Sequence, residues 1–450
     1  MVTIERLAAS LQEILAIAVT AAEAQGWHLY LVGGGVRDLM RTTGDGPVML
    51  SDLDLVVEGV VGSGVKLAEA LRSRYPEVVL EVHGKFQTAA LTWYGDPVLG
   101  DLSIDLATAR TESYAYPAAN PAVVASSIEL DLFRRDFSVN AMALRLTAPG
   151  AGVVLDLHHG ADDLAARVLR VLHDRSLQDD PTRIFRGARF AARFGFEFDP
   201  ETKVQFASAI VSGIYEQSRQ EFGSVPALQT RLRSEFKYLF SSSTWKGALR
   251  SLRSVDAFHC LHSSLSISQN FDDLGWRRLW RSLCRMDLWL KDDRLNSGLQ
   301  RWQTMLELII AMADEPELIA AQLQLPRASI DRLSTLNNIE IQIHQLLNQG
   351  DRPSRVDQVL SGFDGLRPTP GHRVTVLLIA ARSDDPWRCQ IWKYLTEYAQ
   401  IKPILSGKDL QELGFKPGKS LKLILTQLRV ATLDQVVNDR ASAIEFLKSL

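Results

Sequence analysis

The run Ser51-Asp52-Leu53-Asp54-Leu55-Val56-Val57 alternates polar and apolar residues, so in a β-strand Asp52 and Asp54 project from one face as a carboxylate pair. Two like charges held a few Å apart repel, and the usual reason to keep both ionised is a divalent cation between them. Mg²⁺, a hard ion, prefers such oxygen ligands. On its own the DxD is as readily an exposed strand face with two solvated aspartates. About twenty residues upstream, Leu31-Val32-Gly33-Gly34-Gly35-Val36-Arg37-Asp38 runs an apolar strand into glycines and then a helical start. Backbone N–H groups at such a turn can approach a phosphate closely, and the adjoining helix N-terminus favours negative charge. Arg37 would complete that cradle; the alternative is a tight turn in which Arg37 and Asp38 merely pair. Asp105, in Ser103-Ile104-Asp105-Leu106, offers a third carboxylate from a neighbouring strand. Metal ions held by these groups would orient a nucleoside triphosphate, lower the pKa of an attacking hydroxyl and stabilise leaving pyrophosphate, which is the chemistry of nucleotidyl transfer. The P-loop solution is absent, since no GxxxxGK[ST] stretch occurs.

Two further segments combine arginine with aspartate. Asp131-Leu132-Phe133-Arg134-Arg135-Asp136-Phe137-Ser138-Val139-Asn140 places Arg135 to bind a triphosphate and Asp136 to accept a ribose hydroxyl, unless the two form a structural ion pair at an element end. In Asp179-Asp180-Pro181-Thr182-Arg183-Ile184-Phe185-Arg186-Gly187-Ala188-Arg189-Phe190, Pro181 suits a first helical turn and Arg183, Arg186 and Arg189 follow at i, i+3, i+6. Asp180 and Arg183 together offer an acceptor and a fork of donors, a pair able to read the hydrogen-bonding edge of a base without a nucleic-acid template. A solvated, salt-bridged helix face is the plain alternative.

These residues need a scaffold, and the chain reads as two unlike halves. Strand-like runs at His28 to Val32, Leu53 to Val57, Val78 to Val82, Thr88 to Trp93 and Ser103 to Leu106 alternate with turn residues, predicting an α/β half that ends near residue 160. Ile4, Leu7, Leu11, Ile14 and Leu15 recur at helical spacing and predict one amphipathic helix leading into the first strand. From about Ala161 onward helical periodicity takes over, and the second half is expected to be all-α, with boundaries near 240 and 370. Gly350 to Pro370, rich in Gly, Pro, Asp and Ser, is the best linker candidate.

Length and composition set the outer limits. The 450 residues are about three times a typical domain. With 46% hydrophobic and 23% charged residues, the chain is neither disordered nor fibrous. No segment approaches the roughly 20 apolar residues of a membrane helix, and the first residues form no signal peptide. Three scattered cysteines, Cys260, Cys284 and Cys389, argue against disulfides and zinc and for a reducing, cytoplasmic setting, with the thiols expected to be buried. A net charge of -3 gives no global pull on nucleic acid, so an RNA partner would be held by local patches. Such patches are Arg231 to Arg253, which carries six basic residues against Glu235 alone, and Arg277, Arg278, Arg281 and Arg285 interleaved with Trp276 and Trp280. His158, His159 and His173 lack the spaced partners a hydrolytic metal site would need.

The ordered set GGxVRD (Gly33 to Asp38), DxD (Asp52, Asp54), RRDFxxNAMA (Arg134 to Ala143), DxxxGxxDL (Asp156 to Leu164), DxxRxxRxxRF (Asp180 to Phe190) and RxxxE (Arg231 to Glu235) resembles the class II tRNA nucleotidyltransferase and bacterial poly(A) polymerase family. The resemblance implies an α/β head with the DNA polymerase β-type nucleotidyltransferase fold over residues 1–160. All-α neck, body and tail domains would follow over 161–240, 241–370 and 371–450, the last binding tRNA. It implies Asp52 and Asp54 as the catalytic Mg²⁺ ligands, beside which Asp105, from its strand position, is a third candidate catalytic carboxylate. Gly33, Gly34, Arg37, Arg135, Asp136 and Asn140 would bind the nucleotide, and Asp180 and Arg183 would select CTP or ATP with Arg186 and Arg189 in support. The implied partner is the acceptor end of tRNA, extended by C, A or both; poly(A) addition to general RNA ends and a catalytically silent RNA-binding protein share the same motifs. Asp179 stands where the family usually has Glu, and Leu157-His158-His159 replaces a Pro-x-Gly stretch. The segment between Arg110 and Asp131, where members of different specificity diverge, carries no basic residue.

Overall fold

The apolar–polar alternation between residues 28 and 108 becomes a mixed sheet of seven strands. In the computed structural model, which describes residues 3–42, 46–116, 119–213, 226–292, 295, 299–362 and 370–450, these are β1 (His28–Val32), β2 (Asp52–Glu58), β3 (Val79–His83), β4 (Thr88–Asp96), β5 (Gly100–Thr108), β8 (Ala143–Arg145) and β9 (Val154–Leu155). Their order is β3-β4-β5-β2-β1-β8-β9. Only β2 and β5 among them pair in parallel. Parallel neighbours need a crossover, and α3 (Ser63–Arg74), followed by the β3–β4 hairpin, supplies it.

One face of this sheet is apolar because successive residues alternate sides. Leu29, Leu31, Leu53, Leu55, Val57, Ile104 and Leu106 join Leu11, Ile14 and Leu15 of α1 (Ala9–Glu23) and Leu67 and Leu71 of α3 in a single core. The opposite face holds a smaller cluster of Tyr30, Val32, Val56, Ile128 and Leu132. The strand Asp52–Glu58 therefore keeps its register by burying Leu53, Leu55 and Val57 beneath the helices, which leaves Asp52 and Asp54 on the other side. The expected N-terminal helix begins later than its periodicity suggested. Ile4–Arg6 forms a 3₁₀ turn, and Leu7 bridges to Val48 before α1 starts.

Two compact units divide the chain: Met1–Glu235 with Ser242–Cys260, and Phe236–Ser241 with Leu261–Leu450. After residue 160 the first unit is helical, in α5 (Gly160–Ala166), α6 (Ser176–Asp179), α7 (Arg183–Phe194) and α8 (Pro200–Val211), apart from a two-stranded ribbon of β10 (Val168–Leu169) and β11 (Glu197–Phe198). The second unit is built from helices, among them Asp273–Trp289, Arg301–Ile310, Arg327–Leu347 and Lys419–Leu433. In it Glu307 and Arg332 form a buried bidentate pair at 2.8 and 2.9 Å.

Two expectations need correction. The proposed linker contains a helix, Pro353–Gly362, whose Val356, Val359 and Leu360 are buried, because its Gly and Pro residues punctuate the helix ends rather than its middle; residues 363–369 lie outside the described part. The thiols are also not uniformly buried, since only Cys260 is, while Cys389 is exposed and donates to Asp385 at 2.9 Å.

Candidate active site

The parallel register sets Asp54 beside Asp105 and Asp52 beside Ser103, so the three carboxylates occupy one face at the middle of the sheet. Solvent reaches Asp54, yet protein crowds its carboxyl on the other sides, and that burial, reinforced by Asp52, raises its pKa against the pull of Arg135, Arg186 and Arg37. Asp105 is raised in the same direction by burial, then by Asp54 and Asp52. Like charges gathered at a desolvated site cost folding free energy, and functional sites are where such arrangements persist.

Facing them is the turn between β1 and α2 (Gly34–Arg41). Gly33 sits at φ 64°, ψ −124°, a conformation that L side chains rarely adopt, and a Cβ there would lie 2.9 Å from Arg135 Nη1 and 3.4 Å from Asp54 Oδ2. The glycine thus lets backbone, carboxylate and guanidinium converge. Gly33→Ala should cost stability through the dihedral, and should lower nucleotide turnover further by displacing Arg135; thermal melts and steady-state kinetics check both, and full turnover with intact KM would contradict the close approach.

Arg37 is 4% exposed and takes the pairing that the sequence left open. It binds Asp38 in two-point fashion at 2.9 and 3.1 Å and donates to Asn140 Oδ1 at 2.6 Å. Its guanidinium carbon lies 4.3 Å from the centre of the Phe194 ring. Arg135 donates to Asp131 at 3.2 Å, and its Nε is buried without a hydrogen-bond partner. Asp136 accepts from its neighbour's backbone, Phe137 N, at 2.9 Å, from Asn140 Nδ2 at 3.0 Å and from Arg186 Nε. Burial alone would raise that carboxyl, but Arg186, the Asn140 amide and Arg183 outweigh it and hold the pKa down at about 2.

The DxxxGxxDL segment braces this layer from behind. Asp156 accepts from the N–H groups of Gly160 and Ala161 at 2.7 and 2.9 Å, and Asp163 accepts from Ser138 Oγ at 2.6 Å. A Cβ on Gly160 would lie 2.3 Å from Ser138 O, so only glycine fits against the Ser138–Asn140 turn. The Leu157-His158-His159 departure is absorbed by His159 in the left-handed region.

Helix α7 delivers the remaining arginines, and its geometry shows each already held. Arg183 is 6% exposed and donates to Ser176 Oγ and, at 2.7 Å, to the carbonyl of Arg134. Asp180 precedes the helix, accepts from Thr182 through one oxygen and from Arg231 Nη1 at 3.0 Å through the other. Arg189 donates to Glu235 at 3.1 Å. Arg231 and Glu235, read from sequence as part of a basic face, instead turn towards these residues. Sequence reasoning missed Arg110, Glu112 and Tyr114. Glu112 accepts from Arg110 at 3.3 and 3.2 Å, Arg134 at 2.9 Å and Tyr114 at 2.7 Å, which links the β6 (Arg110–Ser113) and β7 (Ala122–Ala125) hairpin to the RRDF segment. Burial and the Glu112 carboxylate push the Tyr114 hydroxyl pKa up. The only signal for this hairpin was a short polar alternation.

The donor chemistry suits a hard divalent cation, since Asp52, Asp54 and Asp105 present oxygens alone. No group of three or more His, Cys, Asp or Glu among the described residues closes into a metal cage. Mg²⁺ does not require one, because it keeps several waters and binds through one or two carboxylates plus substrate phosphates.

Known proteins share both the sequence and the fold. Residues 29–170 match the poly(A) polymerase head domain. The chain is 29% identical over 431 residues to an A-adding tRNA nucleotidyltransferase of Halalkalibacterium halodurans, covering 94% of this chain and 88% of that one. It is 43% identical over 183 residues to a CC-adding tRNA nucleotidyltransferase of Deinococcus radiodurans, covering 41% and 45% of the two. A solved CCA-adding enzyme in its apo form superposes with a TM-score of 0.76 at 26% identity, over 99% of this chain and 97% of that one. With a matching head domain, a relative that aligns over most of the length of both chains and a fold shared over 99% of this chain, the chain belongs to the class II tRNA nucleotidyltransferase and bacterial poly(A) polymerase family.

Proposed function

We propose that this protein extends the 3′ end of tRNA with C, A or both, without a nucleic-acid template, from CTP and ATP. The observation that carries this reading is the juxtaposition of Asp54 and Asp105 in parallel register, with Asp52 beside them and the Gly33 turn and Arg135 opposite. Names of relatives that add A, CC or CCA to tRNA favour tRNA over general RNA.

In this mechanism the RNA 3′-hydroxyl oxygen forms a bond to the α-phosphorus, the bond from that phosphorus to the bridging oxygen breaks, and pyrophosphate leaves. Asp52 and Asp54 would hold a divalent cation, taken as Mg²⁺, which when bound would supply charge neutralisation at the phosphates and acidity at the attacking hydroxyl. Asp105 orients the 3′-hydroxyl and accepts its proton. The backbone at Gly33 and Gly34 and the buried Arg135 Nε receive the triphosphate, while Arg37, fixed by Asp38, holds Asn140 in place. Asp136 and Asn140 meet the ribose. Asp180 and Arg183 present the base-reading edge, and Arg186 and Arg189 keep it in place through Asp136 and Glu235. On this assignment residues 1–160 are the head, 161–240 the neck, 241–370 the body and 371–450 the tail that grips tRNA. The three free cysteines fit a cytoplasmic place of action.

The test is incorporation by purified protein with Mg²⁺, using tRNAs ending before the first C, after CC or complete, each given labelled CTP and ATP separately and together. Two cytidines and one adenosine identify a full CCA-adding enzyme, and C-only or A-only addition identifies half of a divided pathway. Long adenosine tracts on any RNA, or no incorporation, overturn the reading. Arg183→Ala should blur the choice between CTP and ATP by about tenfold while changing tRNA affinity less, because it removes base-edge donors and not phosphate contacts. An unaltered nucleotide preference in single-turnover assays removes that role.

A further inference from the structure

A cavity of about 500 Å³ opens in the first unit, one helix length from the glycine turn. Met40 and Arg41 at the end of α2, Leu164 of α5, Phe194, Phe196 and Arg167 line it. Its volume is within the roughly 300–1,000 Å³ of small-molecule sites, and its lining pairs apolar and aromatic walls with a few fixed charges, as such sites do. Both charges are guanidinium groups, and no carboxylate lines the space.

Neither guanidinium is closely paired. Arg41 reaches Asp38 only at 3.9 Å, and that carboxylate is already held at two points by Arg37. The Arg167 side chain is exposed and makes no hydrogen bond or ion pair among the described residues; its left-handed backbone, φ 59°, sets it at the rim where the chain turns out of α5. The tilted Phe194–Phe196 pair, its ring centres 5.6 Å apart and the Phe194 ring shared with Arg37, Arg41 and Arg193, gives the space an aromatic wall for a planar group, and Arg41 and Arg167 are the two lining charges that an attached anion would meet. We propose that this cavity binds one nucleoside monophosphate unit, its base beside Phe194 and Phe196 and its phosphate between Arg41 and Arg167.

The site is not isolated from the chemistry. Arg41 lies 4.7 Å and Arg37 4.3 Å from the centre of the same Phe194 ring. A phosphate that draws Arg41 away changes the cation–π environment of Arg37, and Arg37 holds Asn140. Occupancy is therefore transmitted to the turn that receives the incoming triphosphate. The nucleotide unit has two sources, a free nucleotide or one residue of the RNA chain, and the experiment separates them.

The full-length protein is titrated with labelled AMP in the presence of saturating α,β-methylene-ATP, which occupies the incoming-nucleotide site without releasing pyrophosphate. Affinity for a tRNA lacking its terminal residues is measured in parallel. Arg167→Glu reverses one charge at the rim and Ala165→Trp, at an exposed position lining the cavity, fills its mouth; neither touches the catalytic groups. AMP binding by wild type that weakens about tenfold or more in both variants identifies a free-nucleotide site. Absent AMP binding with the same loss in tRNA affinity assigns the unit to the RNA chain. Wild-type AMP and tRNA binding in both variants, or no binding of either ligand by wild type, overturns the proposal. Wild-type protein that binds AMP here but extends no RNA leaves this site standing while the transferase reading falls.

Discussion

Asp54→Asn should abolish nucleotide incorporation, by about 10³-fold or more, while leaving the folded protein as stable as wild type or more so. The activity loss follows from removing the carboxylate that sits beside both Asp52 and Asp105 and beneath Gly33. The stability result follows from the sign of the pKa shift. Burial lifts the Asp54 carboxyl above its usual range. Its ionised form is thus disfavoured in the folded state, and the contribution at neutral pH is destabilising. As the pH falls through the raised value the wild-type carboxyl takes up its proton, and the stability difference from the asparagine form should shrink. The substitution also orphans no arginine, because Arg135 keeps Asp131, Arg186 keeps Asp136 and Arg37 keeps Asp38. Urea unfolding at pH 7 and pH 4, with incorporation assays on the same preparation, tests both halves. Residual turnover above a few per cent would remove Asp54 from the cation site, and a markedly less stable variant would show that its charge is compensated in the fold.

That combination was legible in the sequence only in part. The period-2 pattern of Ser51 to Val57 fixed which residues face the core, so the position of Asp52 and Asp54 on one strand face followed directly. Asp105 was offered from a neighbouring strand, but its register opposite Asp54 was not, because parallel pairing depends on how α3 and the β3–β4 hairpin return the chain. The arginines failed differently. Helical spacing placed Arg183, Arg186 and Arg189 on α7 but said nothing of what they hold, and a guanidinium reaches far enough to choose among many carboxylates. Arg37 is tied to Asp38 and Asn140, Arg183 to Ser176 and a carbonyl, and Asp180 to Arg231 from a helix fifty residues on. The Glu112 hub lay in a short polar segment whose weak alternation says nothing of pairing partners, so its connection to Arg134 was invisible before the hairpin was folded.

The Asp136–Arg186 pair should control stability as strongly as Asp54 is expected to control chemistry. Asp136 is 9% exposed and its pKa is held at about 2 against an ordinary 3.8. A carboxyl depressed on folding contributes stability that is present above its unfolded value and is lost as the pH falls through the folded one. At 1.36 kcal/mol per unit, that shift corresponds to about 2 kcal/mol at pH 7. Arg186→Ala removes its strongest opposing charge and leaves the carboxylate with Asn140 and one backbone N–H. Loss of one partner from a fully buried pair costs about 3–5 kcal/mol, and the expected loss here is nearer 2, since the Arg186 side chain retains 45% of its exposure and solvent screens it. The penalty should fade as the pH falls from about 4, where the carboxyl of the unfolded chain begins to take up its proton, to about 2, where folded wild-type Asp136 does so too, and the acid limb of the variant should shift to higher pH. Arg186→Lys should restore charge but not the fork geometry, recovering part of the stability and little of the base selectivity. Unfolding of the first unit at pH 7 and pH 3 measures this directly. A penalty that is equal at both pH values would mean that Arg186 acts by packing on Phe190, 5.1 Å from its guanidinium, and not by holding Asp136 ionised.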